Sequence, residues 1–326
     1  MSRENALIIG EVLFDRFDDG NQVLGGAPLN VAWNLHQQGQ SSYLVSSIGN
    51  DPSGKEILSH LERAGMPTIF IGNVDHAPTG VVNVTYESNT SEVSYDIVDR
   101  QAYDFIPFGE LLPSIKVVSP KVIYHGTLCF RNSHNRTGLK DLLSRVDVTR
   151  FVDVNLRDQW FDESLTIELI ADATWIKLSH QELEILSGAT IQLADSNSLV
   201  QATHSLFSKL NSERRPSLIV TCGERDSFWL QTDHGTNELS IFSSRPQPIS
   251  NVVDPVGAGD AFAATCVNGI LNDRPPQEIL DNANRFAALA CSIRGATTTD
   301  LSHYNQFQWH GESAEPSTPR SEITSM

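Results

Sequence analysis

The chain reads as an α/β protein: a mostly parallel sheet covered by helices, with a small β lid. Three observations predict it. Short apolar runs of strand length alternate with helically patterned stretches along nearly the whole sequence, as repeated βα units require. Residues 80–98 break that rhythm with apolar–polar alternation on both sides of a polar turn, the pattern of an antiparallel hairpin with one wet face. The 326 residues, 40% of them hydrophobic, also hold enough apolar material for a sizeable core, in one large α/β domain or two ordinary ones.

In chain order, residues 6–13 form the first predicted strand, opening on Ala6-Leu7-Ile8-Ile9. Residues 29–38 read as a helix, 42–48 as a strand and 54–64 as a helix. The hairpin follows, with strands at 80–86 and 92–98 around Glu87-Ser88-Asn89-Thr90. Together with residues 14–24 it forms the lid, whose two segments span roughly 11–24 and 79–103 within a folded unit of residues 1–310. Further strands are predicted at 121–124, 151–154, 174–178 and 217–221, with helices at 137–144 and 196–210 among them. From Gly311 the chain is rich in Ser, Glu, Thr and Pro, so residues 311–326 are expected to be a disordered tail.

Several function classes are excluded. A net charge of −17 argues against a nucleic-acid partner, which needs a basic footprint. It does not exclude a small anion held by local amides and a few cations. No run approaches the roughly 18 apolar residues of a membrane span, and Met1-Ser2-Arg3-Glu4-Asn5 lacks the pattern of a signal peptide. The expected partner is therefore a small molecule, and the expected location the cytoplasm. Cys129, Cys222, Cys266 and Cys291 form no paired motif and are expected as buried, inert thiols. The glycosylation-type triplets at Asn83, Asn89 and Asn135 are read as chance.

Two segments could cradle phosphate. Gly49-Asn50-Asp51-Pro52-Ser53-Gly54-Lys55-Glu56 spells most of a P-loop, but Glu56 stands where a magnesium-binding hydroxyl is required. Asp51 adds a second negative charge and Pro52 removes a backbone N–H, so a plain strand–turn–helix junction is expected. Asp254-Pro255-Val256-Gly257-Ala258-Gly259-Asp260 precedes an apolar helix. There, glycines would admit a ligand to backbone amides at a helix N-terminus. Asp260, in the first turn, would be held as an acceptor able to take a proton from an incoming hydroxyl. A tight turn whose first-turn Asp contributes about 0.3–1 kcal/mol explains this segment equally well. A dinucleotide fingerprint does not, because Phe262 occupies the place of the third glycine.

Gly25-Gly26-Ala27-Pro28-Leu29-Asn30-Val31-Ala32, followed by Gly39 and Gly49, resembles the N-terminal signature of the PfkB, or ribokinase-like, carbohydrate kinases. Residues 254–260 resemble their C-terminal signature, and the similarity runs from about residue 7 to 299. Gly10-Glu11-Val12-Leu13-Phe14-Asp15, Asp153-Val154-Asn155-Leu156-Arg157 and Lys177-Leu178-Ser179-His180-Gln181-Glu182 are most similar to fructokinases. The resemblance implies a ribokinase-like three-layer α/β/α sandwich of about nine strands. It also implies phosphoryl transfer from ATP to a primary sugar hydroxyl, fructose first, with other acceptors (2-keto-3-deoxygluconate, ribose, a nucleoside) or a non-catalytic sugar sensor as alternatives.

The same resemblance implies roles. Asp260 would be the base, with Gly257, Ala258 and Gly259 as the anion loop. Asp15, Gly26 and Asn30 would hold sugar hydroxyls, although Asn30 could instead cap its helix. Arg100 and Arg157 would contact sugar or phosphate; by composition alone they are solvated surface arginines. Lys177, Thr221 and Gly223 would lie on the phosphate side. Glu182 would bind Mg²⁺ through water, and Asp254 would serve a monovalent cation such as K⁺. Asn284, Ala288 and Gly295 would flank adenine and ribose, although that helix also has core spacing at Phe286, Leu289 and Ile293. His125 would line the site or be a structural histidine. Pro255 replaces the usual Thr, Ser179 replaces an Asn, and Asp226 brings a negative charge toward the phosphate path. A homodimer through the lid is a further expectation.

Overall fold

The computed structural model describes residues 4–86, 93–193, 195–210, 215–233, 238–247 and 252–311. The hairpin turn at 87–92 and the expected disordered tail from 312 lie outside these residues. The order begins β1 (Asn5–Ile9), β2 (Leu13–Phe17), β3 (Gln22–Gly25), α1 (Ala27–Gln37), β4 (Ser41–Gly49), α2 (Pro52–Arg63) and β5 (Ile71–Val74). The hairpin β6 (Gly80–Tyr86) and β7 (Val93–Ile97) comes next, then α3 (Phe108–Val118), β8 (Val122–His125), α4 (Ser133–Arg145), β9 (Thr149–Asp153) and α5 (Glu163–Ile170). The chain continues through β10 (Trp175–Ser179), α6 (His180–Ser187), α7 (Ser196–Lys209), β11 (Ser217–Thr221), β12 (Ser227–Thr232) and β13 (Leu239–Ser244). It closes with α8 (Ala258–Leu271), α9 (Pro276–Ala290) and α10 (Leu301–Asn305).

Among the described residues the main sheet has nine strands, ordered β13-β12-β11-β10-β9-β8-β1-β4-β5. From β11 to β5 every pairing is parallel; β12 and β13 join antiparallel at one edge. Strand alternation feeds two cores. Ala6 and Ile8 of β1 pack with Val31, Phe262 and Leu280 from α1, α8 and α9. Leu7 and Ile9 pack with Val45, Ile123, Ile115 and Leu139 on the opposite face. Successive residues of a buried parallel strand must serve opposite helical layers, and this fixes the α/β/α sandwich. A second, four-stranded sheet, β3-β2-β6-β7, stands apart from it.

The apolar stretch 6–13 is not one strand. β1 ends at Ile9 and β2 begins at Leu13 in the small sheet. At Gly10 a side chain would meet Pro28 Cγ at 2.3 Å, so the backbone passes tightly under the start of α1 and changes sheet there. The 49–56 segment is the plain junction expected of it. Asp51 Oδ1 caps α2 by accepting from Gly54 N at 2.8 Å, and Oδ2 accepts from Thr79 N at 2.8 Å. Burial presses the Asp51 pKa up, but bonds from Thr79 and the first turn of α2 hold it below its ordinary value. The protein's own carboxylate fills the place of a phosphate.

Candidate active site

The parallel strands bring their C-terminal ends to one edge, where α/β proteins build sites. β1 delivers Glu11 just beyond its end, β9 delivers Asp153, β10 Ser179 and β11 Thr221. α8 starts at the same place. Its N-cap is Gly257, at φ 79°, and Asp260 is the third helical residue. Only glycine fits at 257, because a Cβ would lie 2.3 Å from that of Ala296. Asp254 clamps the loop, accepting from Val256 N at 3.0 Å through Oδ1 and from Gly295 N at 2.9 Å through Oδ2. Pro255 is tolerated because its missing N–H takes no part in this clamp.

Asp260 directly meets a residue expected to hold sugar hydroxyls. Asn30 Nδ2 donates to Asp260 Oδ2 at 2.8 Å across 230 residues of sequence. Asn30 is not the cap of α1, a place taken by Gly26. It is 6% exposed, and its Oδ1 has no partner among the described residues. Gly26 lies so close to Glu11 that a Cβ there would approach the Glu11 carbonyl oxygen to 2.6 Å. Asp15, on β2, reaches across to Gly25 on the paired strand β3. Burial pushes the Asp260 pKa up to about 6, against the Asn30 bond that lowers it and with Asp153 adding to the rise. Burial also pushes Asp15 up to about 6, opposed by Arg157.

Arg157 is exposed and makes no side-chain hydrogen bond among the described residues. Its charge nevertheless acts on Glu11, Asp15 and Asp260 together. Arg100 is placed differently. It is exposed, with its guanidinium 5.8 Å from the Phe105 ring.

On the other side of Asp260, Lys177 Nζ lies 2.9 and 2.8 Å from the two oxygens of Asp153. Tyr124 OH donates to Asp153 Oδ2 at 3.2 Å. Burial presses the Lys177 pKa down, but the Asp153 carboxylate more than offsets it, so the lysine stays charged. A Cβ on Gly259 would be 3.9 Å from that ammonium, which places a buried cation beneath the glycine loop rather than on a free arm. Glu182 Oε2 accepts from Ser179 N at 2.7 Å and Ser179 Oγ at 2.9 Å, closing a capping box on α6. Its Oε1 accepts from Leu156 N at 2.6 Å. Among the described residues no cluster of three or more His, Cys, Asp or Glu side chains could hold a metal ion. Were a magnesium ion held here through water, Glu182 Oε1 would keep a lone pair for one such water.

A family model described as "pfkB family carbohydrate kinase" matches residues 7–303. The chain belongs to the PfkB family of carbohydrate kinases. An uncharacterised sugar kinase from Pyrococcus horikoshii is 26% identical over 84% of this chain and 83% of its own. Its crystal structure superposes with a TM-score of 0.75 at 22% identity, covering 93% of this chain and 99% of that one. A Klebsiella pneumoniae fructokinase is 25% identical over 89% of this chain and 94% of its own length. A Haemophilus influenzae 2-dehydro-3-deoxygluconokinase is 23% identical over 84% and 88%. Membership makes the chain a phosphotransferase acting on an alcohol group of a carbohydrate; these relatives differ in the sugar.

The remaining expected residues are dispersed around this PfkB centre. Thr221 ends β11, and Gly223, at φ 63°, faces open space. Ala288 is half-buried on α9. Asn284 is turned inward, donating to Ser227 Oγ at 3.0 Å and Ser244 O at 3.1 Å, so its amide ties α9 to the sheet edge. Asp226 does not project a free charge toward phosphate: Arg245 Nε binds it at 2.6 Å. His125 is fully buried. Its Nδ1 lies 2.8 Å from the Gly126 carbonyl, and burial pushes its pKa down to about 3, making it a neutral structural group. Asn135, the third glycosylation-type triplet, is fully buried with its amide on Tyr103 O and Cys129 O.

Sequence reading assigned no role to two features. Glu11 is 3% exposed, with Oε2 unpartnered, and burial pushes its pKa up to about 7. It stood in a quoted motif, but nothing in that motif signals its burial. Arg131 is a hub beneath the small sheet. It binds both oxygens of Asp104 at 2.9 and 2.8 Å and Val98 O at 2.7 Å, and stacks 4.2 Å from the Trp160 ring centroid. Trp160 Nε1 donates to Ile97 O at 3.1 Å, so β7 is fastened to the segment just after Arg157.

Proposed function

We propose that this PfkB kinase transfers the γ-phosphoryl group of ATP to the primary hydroxyl of a small neutral sugar, fructose first, with Asp260 as the base. The observation that carries the reading is the Asn30–Asp260 bond. It places an acceptor of pKa about 6 in the first turn of α8, beside a buried amide oxygen that no group among the described residues satisfies. A sugar hydroxyl between them would complete Asn30 Oδ1 and stand ready to lose its proton as the O–P bond forms. The amides of Gly257, Ala258 and Gly259 and the Lys177 ammonium beneath them would meet the charge on the transferring group. Magnesium, when bound with the nucleotide, would neutralise phosphate charge; Thr221, Gly223, Ala288 and Gly295 would lie along the nucleotide. The P. horikoshii relative has been solved in complex with ATP, which supports the donor.

The small sheet would close over the sugar and exclude water, limiting ATP hydrolysis. Glu11, Asp15 and Asn30 offer acceptors to several hydroxyls at once. Arg157 acts on Glu11, Asp15 and Asp260 alike, whereas Arg131 reaches only Glu11 among them while it pairs with Asp104, and Arg100 lies against the Phe105 ring. That balance favours a neutral sugar over a sugar acid.

The test is ADP release with Mg-ATP and a panel of fructose, ribose, deoxyribose, 2-keto-3-deoxygluconate and a nucleoside, run beside Asp260→Asn. Loss of the base should lower kcat by roughly 10²–10⁴-fold with sugar affinity retained. Sugar binding without turnover on any acceptor would point to a sensor. Equal rates in both proteins would remove Asp260 from the mechanism.

A further inference from the structure

A second groove lies between α4 and α5, away from the strand ends that carry the kinase site. It encloses about 710 Å³ and has Arg150 of β9 in its lining. Leu139 and Leu143 from α4 and Ile167 from α5 line it with apolar surface. Arg150 is only 8% exposed, yet no carboxylate forms an ion pair with it among the described residues; Asp172 acts on it only through space.

A guanidinium carries five N–H donors. The two on Nη2 are taken, by Leu169 O at 2.6 Å and by His125 Nε2 at 3.3 Å. The histidine can accept there because its Nδ1 proton points at the Gly126 carbonyl. Nε is buried without a partner, and Nη1 makes no hydrogen bond among the described residues. The carbonyl end of α5 offsets part of the charge but occupies only one donor.

The surroundings are electropositive in a chain of net charge −17. Arg136, Lys140, Arg150 and Lys209 line the groove against Glu168 and Asp172. Lys140 and Lys209 are held in ion pairs with Glu168 and Glu163. Arg136 and Arg150 have none among the described residues, but Arg136 Nη1 donates to Phe130 O and Arg131 O at 2.8 Å each, so Arg150 is the buried cation with donors left over. A buried cation with unused donors is a costly arrangement until an anion completes it.

We propose that the α4–α5 groove is a second ligand site, for a small organic anion whose carboxylate or phosphate seats on Arg150 and whose body packs on Leu139, Leu143 and Ile167. The site is independent of the phosphoryl-transfer reading, and its test measures binding directly. Full-length protein is loaded with magnesium and a non-hydrolysable ATP analogue, so that the 257–259 loop is filled. Inorganic phosphate, pyruvate and phosphoenolpyruvate are then titrated in by calorimetry.

At least one probe should bind with a Kd of about 1 mM or tighter. Pyruvate binding without phosphate binding identifies a carboxylate ligand, and the converse identifies a phosphate ester. Arg150→Met should weaken binding roughly tenfold or more, as expected for loss of charge-assisted bonds. Lys140→Glu changes a side chain that is 70% exposed, leaves the fold intact and should weaken binding severalfold. Binding that neither variant changes, or no binding of any probe at about 10 mM, overturns the proposal.

Discussion

If Asp260 is the base, its titration should be visible in the rate and movable through Asn30. With a pKa of about 6, about one-tenth of Asp260 is ionised at pH 5 and about nine-tenths at pH 7. The logarithm of kcat/KM should therefore climb with unit slope below pH 6 and level off above it. The Asn30 amide holds the ionised form through a 2.8 Å bond. Hydrogen bonds to charged groups contribute about 1.5–3 kcal/mol, and each pKa unit corresponds to about 1.36 kcal/mol. Asn30→Ala should thus move the acid limb to roughly pH 7–8, beyond whatever it costs in sugar affinity. Arg157→Met, which removes a weaker favourable field, should move it in the same direction by less. The assay is kcat/KM for the best sugar from pH 5 to 9 in each variant, with Glu11→Gln as control. An acid limb that stays put in Asn30→Ala refutes the assignment, and a limb that disappears in Glu11→Gln transfers it to Glu11.

Three further outcomes follow from the geometry. Glu11 has its folded pKa raised from 4.5 to about 7, so the fold favours its neutral form; the associated stability is complete below pH 4.5 and is lost as pH rises through 7. Glu11→Gln should accordingly raise unfolding stability by about 3 kcal/mol at pH 8 and hardly at all at pH 4, as read by chemical denaturation. Gly257→Ala forces a Cβ into Ala296 at positive φ and should cut kcat by about 10²-fold through a displaced anion loop, with steady-state kinetics showing whether sugar KM is spared. Arg131→Met leaves Asp104, 1% exposed, without its cationic partner, with only the Gln101 N–H still donating to it. It should cost about 3–5 kcal/mol in denaturant unfolding and raise the sugar KM more than the ATP KM.

Much of this was legible in the residues. Parallel strands announce themselves because both faces are buried, as Leu7, Ile8 and Ile9 show, and the hairpin does so because only one face is. The start of a helix at the glycine loop, with Asp260 in its first turn, was legible because a helix N-terminus constrains residue types locally. Boundaries were less so: apart from Gly10 and Glu11 the 6–13 run is apolar, and the packing of Gly10 against Pro28 reveals that it serves two sheets. Long-range pairing was invisible altogether. Asp226 looked like a stray negative charge because its partner, Arg245, lies across a strand pair. The inward bonds of Asn284 were equally hidden, because nothing near it in sequence shows that Ser227 and Ser244 lie within reach of its amide.

The acceptor side of the cleft has an electrostatic logic of its own. Glu11, Asp15 and Asp260 are each pushed above the ordinary carboxylate range, all mainly by burial, and Arg157 pulls against each rise. Carboxyls poised near 6 to 7 can donate as well as accept at neutral pH, so they can match hydroxyls of either orientation. A sugar acid would add another negative charge to this group and drive the pKa values higher, placing Asp260 in its protonated, inactive form. A neutral sugar displaces water without adding charge, and its hydroxyls donate to the ionised base. If Asp260 is the base, as proposed, the substrate that binds without neutralising it is the one the cleft can phosphorylate. On these grounds fructose should outpace 2-keto-3-deoxygluconate at pH 7, and the gap should narrow as pH rises past 8. A gap that is absent or reversed at pH 7 would mean that Arg157, not the carboxyl group, governs the choice of sugar.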